Sequence, residues 1–184
     1  LDKHTGNLKF QAKTWSQGIG DLQVYGNNII VAQRNGNISA FNRITGDRIW
    51  NHRIAVDTPN AELDISISGV VVFNDFIYVS KHLGNLYILS ASDGMMKASP
   101  GVTYESRINL PAVTVGNNLV FCNVAGELHC HDKTGTKHQW SQEIPRGYPL
   151  TLISSGQNMF IATTEKELYC LNAQTRKIRW QIPL

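Results

Sequence analysis

Short apolar runs alternate with polar, turn-forming positions along this chain. A small polar residue sits eight positions before a bulky or apolar one at Asp2 and Phe10, Asn42 and Trp50, Ser90 and Ala98, Asp132 and Trp140, and Asn172 and Trp180. Upstream of the last four polar residues, matched segments read Gly36-Asn37-Ile38-Ser39-Ala40-Phe41-Asn42, Gly84-Asn85-Leu86-Tyr87-Ile88-Leu89-Ser90, Gly126-Glu127-Leu128-His129-Cys130-His131-Asp132 and Lys166-Glu167-Leu168-Tyr169-Cys170-Leu171-Asn172. Before each comes another apolar stretch, opened by Asn27-Asn28, Asn74-Asp75, Asn117-Asn118 or Gln157-Asn158. Earlier still lies a further run: Leu22 to Tyr25, Gly69 to Phe73, Ala112 to Val115, Leu150 to Ile153. Asn and Asp tolerate left-handed backbone and bond their own main chain, so these pairs predict hairpin turns. Each unit therefore reads as four strands joined by three turns. No segment sustains a 3.6-residue period, and no helix is predicted.

The bulky members recur at a period of about 40–48 residues, which is the signature of four-stranded propeller blades. The predicted fold is all-β: a β-propeller of four-stranded antiparallel blades, four full ones and the remnant of a fifth. As a single segment over 1–184, it divides into a remnant at 1–14 and blades at 20–55, 66–99, 110–144 and 149–184. Leu1 to Gly6 reads as the end of a third strand and its turn, and Asn7 to Lys13 as a fourth strand. The C-terminal unit already has its own fourth strand, Lys177 to Ile182. Because a repeat buries its apolar faces only against neighbours, the expectation is an arc of a larger ring, completed by the parent chain or by another chain. The competing expectation is a four-bladed ring with a frayed first strand.

These units resemble the pyrroloquinoline-quinone-like propeller repeat, roughly Gly-x-Leu-Tyr-Ala-Leu-Asp-x-x-Thr-Gly-x-x-x-Trp. The fit is close from Gly36 to Trp50 and from Lys166 to Trp180, and the resemblance covers essentially the whole chain. Departures are local: Ala98 stands where Trp is expected, Arg176 replaces a turn Gly, and Gly135 falls one place early. Some members of that family are quinone-dependent dehydrogenases with vicinal cysteines, a calcium site of Glu, Asn and Asp, and a catalytic Asp. None of these can be placed here, so the resemblance implies a non-catalytic scaffold with no catalytic residue and no cofactor. A fragment of a quinone-dependent propeller oxidoreductase is the alternative, and a sensor or ligand-binding propeller within a larger complex is the third reading. In blade style, and in the acidic connection Ala61-Glu62-Leu63-Asp64-Ile65, the chain is similar to the propeller lipoproteins of bacterial outer-membrane β-barrel assembly. That similarity implies protein partners in a multi-subunit complex and a periplasmic or cell-envelope location.

Composition narrows the choices further. Hydrophobic residues make up 42% of the chain and charged ones 17%, and no apolar run approaches the roughly 20 residues of a membrane-spanning helix. Seventeen basic and 14 acidic residues leave a net charge of +3, too small and scattered to imply nucleic acid. The three cysteines read as structural: Cys130 and Cys170 fill the slot of Ala40 and Ile88, and Cys122 is expected opposite Leu128. His129, His131 and His138 are expected on adjacent strands, where three imidazoles could hold zinc or copper. However, His129 matches Tyr87 and Tyr169, and His131 matches Phe41, Leu89 and Leu171, which are packing positions. No metal site is assigned.

What remains is surface. In an up-and-down blade, the second-to-third and fourth-to-first connections emerge at one end, and the other end carries only tight turns. The longer-connection end gathers Arg34, Arg53, Lys81, His82, Tyr104, Arg107, Arg146 and Tyr148, with acidic residues among them. Arg and Tyr are favoured at protein interfaces, and loops on a rigid scaffold often carry function. These eight residues are the candidate partner-binding set.

Overall fold

Local turn chemistry decides where the strands stop. The computed structural model describes residues 2, 4–14, 16, 18, 22–33, 35–54, 67–81, 84–103, 106–108 and 110–184, with 98–103 described through their backbone. At three of the turns between a third and fourth strand, the small polar residue of the repeat folds its side chain onto the following amides, whereas Ser90 Oγ lies 2.9 Å from Ser92 Oγ and Asp93 takes the Met95 amide. Asn42 Oδ1 accepts from the N–H groups of Ile44 (2.8 Å) and Thr45 (3.2 Å), and Asn172 Oδ1 from those of Gln174 (3.1 Å) and Thr175 (2.8 Å). Asp132 and Asp2 do the same with their carboxylates. These side-chain bonds satisfy backbone donors that would otherwise lack a partner in the turn.

Between the turns, the described residues form sixteen strands in four antiparallel sheets of four. The first sheet is β1 (Gln23–Tyr25), β2 (Asn28–Ala32), β3 (Asn37–Asn42) and β4 (Arg48–Arg53). The second is β5 (Ile67–Phe73), β6 (Phe76–Lys81), β7 (Asn85–Ser90) and β8 (Met96–Thr103). The third is β9 (Val113–Val115), β10 (Asn118–Cys122), β11 (Glu127–Asp132) and β12 (His138–Glu143). The fourth is β13 (Pro149–Ser155), β14 (Asn158–Thr163), β15 (Glu167–Asn172) and β16 (Ile178–Pro183). Within each sheet the spatial order follows the sequence, as expected of propeller blades. Cys122 pairs with Leu128 and His131 with His138, the registers the turn positions predict. The segment expected as a strand from Asn7 to Lys13 takes no strand conformation, because no described third strand lies beside it to supply a hydrogen-bonding edge.

The core lies between the sheets. Ile30, Ile38 and Ala40 of the first sheet pack on Ile77, Val79, Tyr87 and Leu89 of the second. Tyr78, Leu86 and Ile88 of the second meet Leu119 and Phe121 of the third. Val120, Leu128 and Cys130 of the third meet Met159, Ile161, Tyr169 and Leu171 of the fourth. No such cluster joins the fourth sheet to the first among the described residues, so the four sheets form an open arc.

An aromatic ring from one unit sits on the turn glycine of the next. A Cβ built on Gly46 would lie 2.5 Å from the ring of Phe10, and one on Gly94 would lie 2.5 Å from the ring of Trp50. With Ala at position 98 the second sheet has no such ring on its outer strand. Tyr78 reaches across instead: a Cβ on Gly135 would meet Tyr78 Cε1 at 2.5 Å and Ile88 Cδ1 at 3.0 Å, and the Tyr78 hydroxyl donates to the Lys133 carbonyl. Trp140 packs on the cluster shared by the third and fourth sheets. Trp180 differs from Trp50 and Trp140 in its surroundings. It is 41% exposed, with Phe160 of its own sheet 5.9 Å away between ring centroids, because no described sheet covers that face.

Two glycines isolate this contact. Gly94 and Gly26 both have left-handed backbone (φ +72 and +55), but Gly26 has nothing within 4 Å of its virtual Cβ. Gly26→Ala should cost about 1 kcal/mol, the strain of the left-handed residue alone. Gly94→Ala adds overpacking against Trp50 and should cost about 2–4 kcal/mol in total. Equal losses in denaturant titrations of the two variants would contradict the ring-on-glycine contact.

Candidate functional site

At the end of the arc that carries the longer connections, a repeated set of backbone bonds fixes each loop at its root. The residue after each of three outer strands donates its amide to the turn between the second and third strands of its own sheet: Ile54 to the Gly36 carbonyl (3.0 Å), Ile144 to Gly126 (2.8 Å) and Leu184 to Lys166 (2.7 Å). A second tie holds the incoming connection. Val124 N–H donates to the Arg107 carbonyl at 2.7 Å, and Thr164 N–H donates to the Tyr148 carbonyl at 3.0 Å. Arg107 and Tyr148 are thus structural equivalents in successive sheets. Their main chains are pinned and their side chains stay exposed, Tyr148 by 64%.

Beneath these ties runs a row of buried polar side chains, of which the sequence points only to Lys81, and for a different role. Lys81 and Thr163 end β6 and β14, Gln33 and Asn123 directly follow β2 and β10, and each of the four is at most 1% exposed. Each carbonyl accepts the amide three residues on, from Gly36, Gly84, Gly126 and Lys166, which closes the turn. The signal was present as a polar residue three places before Gly in the first three units. Gln33 Nε2 donates to Ser39 Oγ (3.0 Å), whose hydroxyl donates to Asn51 Oδ1 (2.9 Å). Asn123 Nδ2 donates to Glu127 Oε2 (2.6 Å), and Asn123 Oδ1 accepts from Glu127 N–H (2.9 Å).

Of the candidate partner-binding residues, Arg53, Arg107, Arg146 and Tyr148 are exposed at this end. Arg53 is the last residue of β4, Arg107 lies ahead of β9, and Arg146 and Tyr148 lie between β12 and β13. Arg146 Nη2 lies 3.9 Å from Glu165 Oε2, an exposed pair that contributes little to stability but sets local charge. Gly147 makes that loop possible, since a Cβ there would fall 2.8 Å from Glu165 Cγ and 3.0 Å from Thr163 Oγ1. Lys81 is a correction. It is not on the rim but 1% exposed, with Nζ 5.4 Å from the centroid of the Tyr87 ring. The physical reason is strand parity: β6 runs on to Lys81, whose side chain falls with Ile77 and Val79 on the face turned to the first sheet. Arg34, His82 and Tyr104 lie outside the described residues.

The chemistry available elsewhere is limited. Cys122, Cys130 and Cys170 are free and buried, and burial pushes the Cys122 thiol up to about 12 and Cys130 up to about 11, far from nucleophilic thiolates. Among the described residues, no group of three or more His, Cys, Asp or Glu is placed to hold a metal ion. Nor is any helix among them long and apolar enough to cross a membrane.

Four blade-like sheets built from this repeat, with tight turns at one end and pinned loops at the other, define a β-propeller of the quinone-like repeat class. A family model described as outer membrane protein assembly factor BamB matches residues 1–182, and the chain belongs to that family. Among solved structures, it is similar to BamB from Moraxella catarrhalis, with a TM-score of 0.68 and 15% identity over 97% of this chain and 53% of that one. It is also similar to BBS1N in complex with ARL6DN (TM-score 0.70, 15% identity, 89% of this chain and 53% of that one). The Neurospora crassa Pan2 WD40 domain gives a TM-score of 0.70 at 13% identity, over 89% of this chain and 48% of that one. At these identities the likeness concerns the fold, and the chain spans about half the length of each of these structures. Comparison with curated protein sequences gives no significant match.

If Asn123 pins the turn that carries the Arg107 tie, Asn123→Ala should cost about 1–3 kcal/mol, as expected for stranding buried partners. Amide hydrogen exchange should then accelerate at Val124 and Glu127 more than at Leu119, deep in the same sheet. Uniform acceleration across β10 and β11 would show that the residue supports the sheet as a whole and not this loop root.

Proposed function

We propose that this chain is part of a non-catalytic propeller scaffold that binds other proteins through its longer-connection end, within an assembly complex of the bacterial cell envelope. The observation that carries the reading is the asymmetry between the two ends. At one end, Asn42, Asp132 and Asn172 spend their side chains on their own turns. At the other, Arg53 at the end of β4, and Arg107, Arg146 and Tyr148 on loops tied to the sheets, stand exposed. Such pre-organised roots lower the ordering cost of association, and Arg and Tyr are the side chains that most often anchor interfaces. Membership in the outer membrane assembly-factor family supports both the scaffold role and the envelope location. In this reading the partner is a protein of the same assembly, and its contact surface complements a basic, tyrosine-bearing rim. Tyr104, Arg34 and His82 belong to the same proposed rim by sequence, whereas Lys81 serves the turn beneath it.

Reversal of Arg53 and Arg107 to Glu should weaken capture of the native partner at least tenfold in a pull-down or titration from the full-length protein. The fold should remain intact, because exposed loop substitutions shift stability by no more than about 0.5 kcal/mol. The control carries Glu at Arg43 and Arg176, in the tight turns of the opposite end. Loss of binding in the control, with retention in the first variant, would place the partner at the wrong end for this proposal.

A further inference from the structure

The seam between the second and third sheets differs chemically from its neighbours. At the paired positions of third and fourth strands that face the preceding sheet, the second sheet has Leu89 and Met96 and the fourth has Leu171 and Ile178. The third sheet has His131 and His138 there, and His129 one pair further along, opposite Ser141. His131 is 1% and His129 7% exposed. Ring centroids lie 5.4 Å apart for His131 and His138 and 6.4 Å apart for His129 and His138. His131 stacks on Phe121 at 5.4 Å, and Phe121 belongs to the cluster that joins the two sheets. The Ser141 hydroxyl lies between two of the rings, 2.9 Å from His129 Nδ1 and 2.8 Å from His138 Nε2. With both imidazoles neutral, one ring donates to this oxygen and the other accepts its proton, so all three groups are satisfied.

We propose that His129, His131 and His138 form an acid-sensitive latch between the second and third sheets, closed when the imidazoles are neutral and opened when they take up protons. Three cations here would repel one another across ring separations of 5.4 and 6.4 Å, with His129 and His131 buried away from water and His138 exposed at the edge of the seam. The charged and titratable groups on the elements around them include Glu127 and Asp132 of β11, Glu143 of β12, Lys133 and Lys137 in the turn between those strands, Tyr78 of β6, Lys97 of β8 and Arg107 ahead of β9. Glu127 Oε2, 3.6 Å from His129 Nε2, can offset one positive charge, but it already accepts from Asn123. The Asp132 carboxylate accepts from its own turn. Tyr78 donates its hydroxyl to the Lys133 carbonyl and brings no negative charge. Glu143 and the cations Lys97, Lys137 and Arg107 are exposed to solvent, which screens their charges from the buried rings. Burial holds both His129 and His131 below the ordinary histidine range, His131 down to about 4, with the neighbouring rings adding to the depression.

The sign follows from linkage. A histidine whose folded pKa is depressed favours folding above its unfolded value near 6.5, and that contribution is lost as pH falls toward about 4. The test compares the full-length protein with the double variant His131→Leu, His138→Met, which installs the residues the second sheet uses at these positions. From pH 7 to pH 5 the native protein should lose roughly tenfold or more in its folding equilibrium constant relative to the variant, measured by denaturant titration. Identical pH dependence in the two proteins would overturn the latch. If the double variant does not fold, His138→Gln alone serves, read by imidazole NMR. The His131 titration should lie below 6.5 in the native protein and move upward once the neighbouring ring is gone. A His131 that titrates normally, or does not respond to His138→Gln, would equally overturn it.

Discussion

An aromatic ring laid on a turn glycine is the contact on which the rest of this arc depends. Strand pairing within a sheet is local and needs only alternation and Asx turns. Nothing in it fixes how one sheet meets the next. Phe10 on Gly46 and Trp50 on Gly94 supply that registration, because each ring occupies the space a Cβ would need. The same contact explains why the small polar residue and the bulky one recur together. The polar side chain shapes a turn whose glycine is bare, and the ring of the preceding unit covers it. Where the ring is missing, at Ala98, the space is filled from another strand by Tyr78.

That stacking commits one end of the molecule and frees the other. Turns under the rings cannot change without disturbing the seams. The opposite end carries loops rooted by backbone bonds, with Arg107 and Tyr148 in equivalent places and Gly147 allowing the Arg146 loop to lie close to Thr163 and Glu165. A rigid root with a variable, exposed side chain is what a scaffold needs in order to bind partners without rebuilding its core. The histidine seam sits between these two regimes, inside the stack, where a change of charge acts on the join between sheets.

Much of the fold was legible in the sequence because its determinants are local. Asn42, Asp132 and Asn172 announce their turns, and the Cys122–Leu128 register follows from counting back along the hairpin. What escaped was set by contacts between units. Tyr78 reads as an ordinary strand residue, and only the neighbouring Gly135 reveals that it stands in for a tryptophan. Lys81 reads as a rim charge because it is a lysine near a loop, yet strand parity turns it inward onto Tyr87. Arg107 and Tyr148 stand at different distances from the strands that follow them, so spacing alone could not show their equivalence. Their ties to Val124 and Thr164 do. The exposure of Trp180 likewise depends on what packs beside its sheet, which no repeat pattern encodes.

The most direct measurement is a double-mutant cycle on Trp50 and Gly94 in the full-length protein. If the ring on the glycine joins the sheets, Gly94→Ala in a Trp50→Ala background should cost only the left-handed strain of about 1 kcal/mol. The two substitutions would then be non-additive by about 1–3 kcal/mol, the size expected for directly coupled residues. Additivity within about 0.5 kcal/mol, the behaviour of independent sites, would contradict the account.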